Sequence, residues 1–301
     1  MAPAAPREPR MTDLRQRLLL ALLLGLLLAA PAVGAAEAAP LRVVASTTML
    51  ADIVRQVGGG RVAVTSLLAP GVDGHTWQPA PADLQRLAAA RLVVVNGLGF
   101  EGWLDQVIAN AGTRPDVVVA SAGVTPRGGD PHAWQDARNG MRYAQAIGAA
   151  LAAADPAGAD DYAAWTEAYV AQLRVVDAWV RKQLAALPAD DRVLVTSHDA
   201  LGYYGQAYGL EVVAVEGIAT GQEPDPQHIA ELIALLRARH VKAVFIETVA
   251  SPKVVEQIGA EGGAALGGSL FSDSLDIPGA PAGTYIGMFL ANTRTIVDGL
   301  R

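Results

Sequence analysis

The chain has 301 residues, 51% of them hydrophobic, with 23 Lys and Arg against 30 Asp and Glu. Its formal charge of −7 excludes the basic surplus that nucleic acid or an anionic membrane requires, and suits a small cation. The absence of cysteine excludes disulfides, thiolate metal sites and a thioether-linked lipid.

Arg7, Arg10, Arg15 and Arg17 precede the apolar run "LLLALLLGLLLAA" (Leu18 to Ala30), which is followed by the small residues of "PAVGAAEAA". That order is the order of a secretory signal peptide. The run is shorter than the roughly 20 residues of a membrane-spanning helix, and cleavage after Ala35 or Ala38 fits an A-x-A-like pattern; Met11 is an alternative start to Met1. Residues 1–38 are therefore expected to be a signal peptide, leaving a soluble, unlipidated protein in the periplasm.

From Leu41 onward, β-branched runs alternate with helical patterns. The first half offers "LRVVAS" (41–46), "VAVTSL" (62–67), "LVVVN" (92–96) and "DVVVA" (116–120); the second offers "RVLVTS" (192–197), "EVVAV" (211–215), "VKAVFIE" (241–247) and "LGGSLFS" (266–272). Apolar strands separated by helices predict mostly parallel sheets covered on both faces. Between the halves, Tyr162, Trp165, Tyr169, Leu173, Val176, Val180, Leu184 and Leu187 recur at spacings of three and four, one stripe on one long helix. Asp160 and Asp161 are placed to cap it and Pro188 to stop it. At about 1.5 Å per residue, roughly 26 residues reach about 39 Å, enough to run along both halves. The expected organisation is an α/β lobe over 41–157, a stiff linking helix over 158–188 and a second α/β lobe over 189–301, each lobe holding four strands.

"GLGFEG" (Gly97 to Gly102) fits G-x-G-x-x-G. It follows the third strand rather than the first, and Phe100 and Glu101 bring bulk and negative charge where a pyrophosphate would sit, so a Gly-rich turn is the better reading. His228 and His240, near the ends of "PDPQHIAELIALLRARH", suit a solvated helix surface. The other three histidines each follow a strand: His75 in "GVDGHTWQPAPADL", His132 in "GGDPHAWQD" and His198 in "VTSHDALGY". Ligands of open parallel sheets bind beyond the carboxyl ends of strands, and the Asp, Gly and Pro beside each histidine fix its direction, as a metal with set geometry requires. A fourth ligand is expected from the second lobe's acids, Asp199, Glu247, Asp273 and Asp276. Asp199, next to His198, is expected to point away or to support it from behind; spacing does not choose between Glu247 and Asp273.

At these residues the sequence resembles the zinc/manganese-binding solute-binding proteins of ABC importers, the cluster with a rigid helical backbone between two lobes. The resemblance runs from Leu41 to Arg301 and rests on "GVDGHTWQPAPADL", "DPHAWQDARNGMRYAQAI", "VTSHDALGYYGQAYGLEV", "EPDPQHIAELI" and "LFSDSL", in the family's order. It implies His75, His132, His198 and Asp273 as metal ligands, with Glu247 behind them. There is no His-rich loop after the first ligand. Gly74 stands where Pro is more frequent, which would loosen that loop; Gln78 replaces a frequent Glu, and Gln135 and Ala137 also depart from the pattern.

Three imidazoles and one carboxylate suit zinc, whereas manganese prefers more oxygen. The implied cargo is thus Zn²⁺, with Mn²⁺ or iron as alternatives. The implied partners are an ABC transporter permease and a periplasmic metal chaperone, and the protein is expected to act as a monomer with little lobe movement. A zinc hydrolase is the rival class, but H-E-x-x-H and G-x-S-x-G are both absent and four protein ligands leave no water to activate.

Overall fold

A computed structural model describes residues 39–111, 115–221 and 225–301. The predicted signal peptide lies outside the described residues, and among those described no helix is long and apolar enough to cross a membrane. All eight apolar runs form strands: β1 (Leu41–Ala45), β2 (Val62–Ser66), β3 (Leu92–Val95), β4 (Asp116–Val119), β5 (Val193–Thr196), β6 (Glu211–Ala214), β7 (Ala243–Glu247) and β8 (Ala265–Leu270). They make two sheets of the same topology, β2-β1-β3-β4 and β6-β5-β7-β8, and every pairing is parallel. Strand order reverses between β1 and β3 in one sheet and between β5 and β7 in the other, and crevices open there beyond the carboxyl ends.

Alternate side chains on each strand point to opposite faces, and both faces are filled. Val44, Val93 and Val95 meet Leu87 and Val107 of the outer helices α2 (Pro81–Ala89) and α3 (Leu104–Ala111). Val193, Val195 and Val244 meet Leu232, Leu236, Val255 and Ile258 of α7 (Pro226–Arg239) and α8 (Lys253–Gly262). The inward residues, among them Val43, Val94, Leu194 and Phe245, enter one central core shared by both lobes. That core also takes α1 (Thr48–Gly58), α4 (Ala137–Ala154), α5 (Ala159–Ala185), α6 (Gly202–Tyr208) and α9 (Tyr285–Leu300).

The 27-residue α5 is the expected spine. Tyr162, Tyr169, Leu173, Val176, Val180 and Leu184 are buried along it, and it packs on α1 and α4 of the first lobe and on α6 and α9 of the second. Its N-cap is Gly158 rather than an aspartate. Asp160 and Asp161 lie within the first turn, where the helix dipole still favours them. His240 is exposed at the left-handed C-cap of α7, whereas His228 is half buried with Nε2 2.9 Å from the Ala214 carbonyl oxygen, so only one of this pair is the solvated surface residue expected.

Candidate metal centre

His75, His132, His198 and Asp273 follow the carboxyl ends of β2, β4, β5 and β8, and the fold brings them to one point. One potential ligand atom of each lies within 4.8 Å of the others. Nε2 of His75 is 3.1 Å from Nε2 of His132 and 3.3 Å from Oδ2 of Asp273; His198 Nε2 is 3.1 Å from that same oxygen, and His132 Nε2 is 3.6 Å from Asp273 Oδ1. A tetrahedral ion with ligands at about 2.0–2.2 Å places them about 3.4 Å apart, close to these separations. Asp273 Oδ1 is buried without a hydrogen-bond partner among the described residues, so the cluster retains an unanswered acceptor facing inward. The donors thus fit a single divalent cation.

The local sequence explains how each side chain is aimed. In both Asp73-Gly74-His75 and Asp130-Pro131-His132 the aspartate Oδ1 accepts the backbone N–H of the histidine two residues on, at 2.9 Å, an Asx-type turn. Asp130 does more, because the same Oδ1 lies 2.8 Å from His132 Nδ1, while its Oδ2 takes Arg127 Nη1 at 2.9 Å. Asp73 reaches across to the second lobe, where Thr220 Oγ1 donates to its Oδ2 at 2.5 Å.

His198 is held by Glu247, the last residue of β7, which is hydrogen-bonded to β5 at the reversal point of the second sheet. Glu247 Oε1 accepts the His198 backbone N–H at 2.9 Å, and Oε2 lies 2.7 Å from Nδ1. Asp273 lies three residues past the end of β8, and its neighbours are pinned. The Ser272 carbonyl accepts from Trp134 Nε1 (2.8 Å) and Gln135 Nε2 (2.7 Å), and Ser274 Oγ accepts the Gly71 N–H (2.8 Å). The loops of the first two histidines are in this way bolted to the loop of the carboxylate.

Of the two roles expected for Asp199, the structure is consistent with the side chain pointing away. Asp199 makes no side-chain hydrogen bond or ion pair with His198. It is half exposed while its neighbour is fully buried, and its backbone N–H goes to Gly217, because successive residues in this turn diverge. Gly74 is not spare space in the loop: a Cβ there would lie 2.5 Å from Phe100 Cζ, and the Phe100 ring packs edge-on to His75, His132 and Trp134. Asp130, the residue missed from the sequence, was visible as the repeated Asp-x-His. The Gly-rich turn at 97–102 holds its own anion, since the buried Glu101 carboxylate accepts from the backbone N–H of Asn96 (2.6 Å) and Gly97 (2.9 Å) and from Ser46 Oγ (2.6 Å). Burial raises its pKa against those bonds.

The cluster's charges are coupled. Burial opposes a charge on His198, but Glu247 and then Asp273 outweigh it and push the imidazole up to about 11. Burial likewise opposes ionisation of Asp273. The fields of His132 and His198, with hydrogen bonds from His198 and His75, overcome it and hold the carboxyl well below its usual range.

A buried cage of three imidazoles and one carboxylate, split between two α/β lobes on one spine helix, is the architecture of a cation receptor. Comparison with known proteins specifies the class. Residues 43–299 match the family of the periplasmic zinc-uptake complex component A, ZnuA, and the chain belongs to that family, the substrate-binding proteins of metal ABC transporters. It is 32% identical over 266 residues to the manganese-binding lipoprotein MntA of Halalkalibacterium halodurans, covering 86% of this chain and 88% of that one. It is 34% identical over 267 residues to the iron-binding protein YfeA of Yersinia pestis, covering 86% of each. The solved structure of the periplasmic zinc-binding protein TroA from Treponema pallidum superposes with a TM-score of 0.83 at 33% identity, covering 87% of this chain and 99% of that one. The protein is accordingly a binding component that works with a membrane permease and its ATPase, not an enzyme.

Proposed function

We propose that this protein captures Zn²⁺ in the periplasm, as an unlipidated monomer, and delivers it to its permease. His75, His132, His198 and Asp273 are the ligands. The observation that carries the choice of zinc is the donor set. Asp273 is the only carboxylate in the cluster, and both oxygens of Glu247 face His198, so nitrogen outnumbers oxygen as zinc favours and manganese does not. All four donors come from one chain, which supports a monomer. The chain has no cysteine to carry a lipid, in contrast to the relatives named lipoproteins.

The test is a competition titration of metal-free protein, with zinc against manganese and against ferrous iron. Zinc is expected to bind one to one and to displace both, and His198→Ala is expected to lose tight binding. Manganese or iron holding the site against equimolar zinc would overturn the metal assignment. Undiminished affinity in His198→Ala would overturn the ligand assignment.

A further inference from the structure

A cavity of about 280 Å³ opens at the seam of the lobes, away from the four-residue cluster. The first lobe lines it with Arg127, Arg138 and Arg142, and α6 of the second lobe lines it with Tyr203 and Gln206. Two of the guanidinium groups have anionic partners. Arg127 uses Nη1 on Asp130, and Arg138 grips Asp136, itself part of the cavity wall, through Nε and Nη2. Among the described residues Arg142 has only neutral partners, the Asn139 Oδ1 at 3.0 Å and the Arg138 carbonyl at 3.3 Å, both through Nη1. Counting Asp130 and Asp136 against the three arginines leaves the wall with an excess positive charge in a chain whose formal charge is −7.

The hydrogen-bonding capacity points the same way. Nε and Nη2 of Arg127, Nη1 of Arg138, and Nε and Nη2 of Arg142 meet no protein acceptor among the described residues. Tyr203 hydroxyl accepts the Arg127 backbone N–H at 2.8 Å, which leaves its own proton to donate. Guanidinium forks presented with spare N–H groups match the paired oxygens of carboxylate, phosphate and sulfate. The volume is at the low end for a ligand pocket, so the occupant is a small molecule rather than a chain segment.

We infer that this cavity is a binding site for a small oxyanion, a tetrahedral oxoanion or a short carboxylate, that bridges the two lobes. Occupancy engages Arg127, which grips Asp130 behind His132, so the site adjoins the support of the metal centre without sharing a ligand with it.

The test titrates metal-free protein at low ionic strength with sulfate, inorganic phosphate and succinate. It uses calorimetry and the side-chain Nε resonances of ¹⁵N-labelled arginine, with sodium chloride at matched ionic strength as the blank. Saturable one-to-one binding by at least one of the three is expected, together with at least a tenfold loss in Arg142→Gln at unchanged melting temperature. The probe that saturates lowest distinguishes the tetrahedral from the carboxylate class. A response no different from chloride for all three, or undiminished binding in Arg142→Gln, overturns the inference. Because no metal is present, either result leaves the zinc reading standing or falling on its own test.

Discussion

Asp130 offers the sharpest test of how the centre is built, because its two oxygens divide their work. Oδ1 serves His132 through both the backbone N–H and Nδ1, while Oδ2 serves only Arg127. Asp130→Ala leaves two buried His132 donors without an acceptor, each costing about 1–3 kcal/mol. It also frees the ring to turn Nε2 away from the other three side chains of the cluster. Loss of such a support typically lowers metal affinity about 10–100-fold, which is about 1.4–2.7 kcal/mol. Asp130→Asn keeps an acceptor oxygen where His132 needs it and sets its amide against Arg127, a side chain 40% exposed that can swing into solvent; a pair of that exposure contributes at most about 1 kcal/mol. Zinc affinity, measured by competition with a chromophoric chelator near neutral pH, is therefore expected to fall about 10–100-fold in Asp130→Ala and only a few-fold in Asp130→Asn. If the alanine variant binds within twofold of the parent, or if asparagine loses as much as alanine, Oδ1 does not orient His132 and the reasoning fails.

In metal-free protein His198 is pushed up to about 11 from 6.5, so its contribution to stability is complete below pH 6.5 and is lost as pH rises through about 11. The metal-free melting temperature should decline from neutral toward alkaline pH, and decline less in Glu247→Gln; parallel profiles would contradict the coupling. Gly74→Ala forces a Cβ against the buried Phe100 ring and is expected to cost about 1–3 kcal/mol by overpacking, read by thermal unfolding of metal-free protein, where an unchanged curve would refute it. Because one core and one spine helix join the lobes, small-angle scattering of metal-free and zinc-loaded protein should superimpose, and a contraction on loading would show that the lobes close.

Much of this architecture was legible because it depends on local pattern. Eight apolar runs became eight strands, each ending within a residue or two of its apolar stretch, and the stripe from Tyr162 to Leu184 became the spine. The three histidines could be marked because the carboxyl end of a parallel strand is defined by chain direction alone. What could not be read was the relation between neighbours in space. Glu247 and Asp273 both end strands of the second sheet, but β7 adjoins β5 and so puts Glu247 beside His198, while β8 is an edge strand whose continuation reaches toward the first lobe. The bonds from Trp134 and Gln135 to the Ser272 carbonyl span more than 130 residues, 138 and 137, and no spacing rule reaches them. Asp130 is different: Asp-x-His occurs twice and carried the information, but a short-range turn motif is easily taken for loop shaping when it is also the support of a ligand.

The same connections bear on how an ion leaves a site this enclosed. His132, His198 and Asp273 are buried to within 1% of full exclusion, and only His75 keeps solvent contact, with 9% of its side chain exposed. An ion held by these four side chains would therefore reach water past His75. The loop that carries it packs Val72 and Trp77 against the core and is tied to the second lobe by two hydrogen bonds, Asp73 to Thr220 and Gly71 to Ser274. The neutral bond to Ser274 contributes about 0.5–1.5 kcal/mol net and the bond to the Asp73 carboxylate about 1.5–3 kcal/mol, so breaking these two ties costs less than separating lobes that share a hydrophobic core. On the proposed ligand set, rigidity of the spine and escape of the cargo are compatible, because His132, His198 and Asp273 are fixed within the buried fold while His75 sits on the loop that these two bonds tie down.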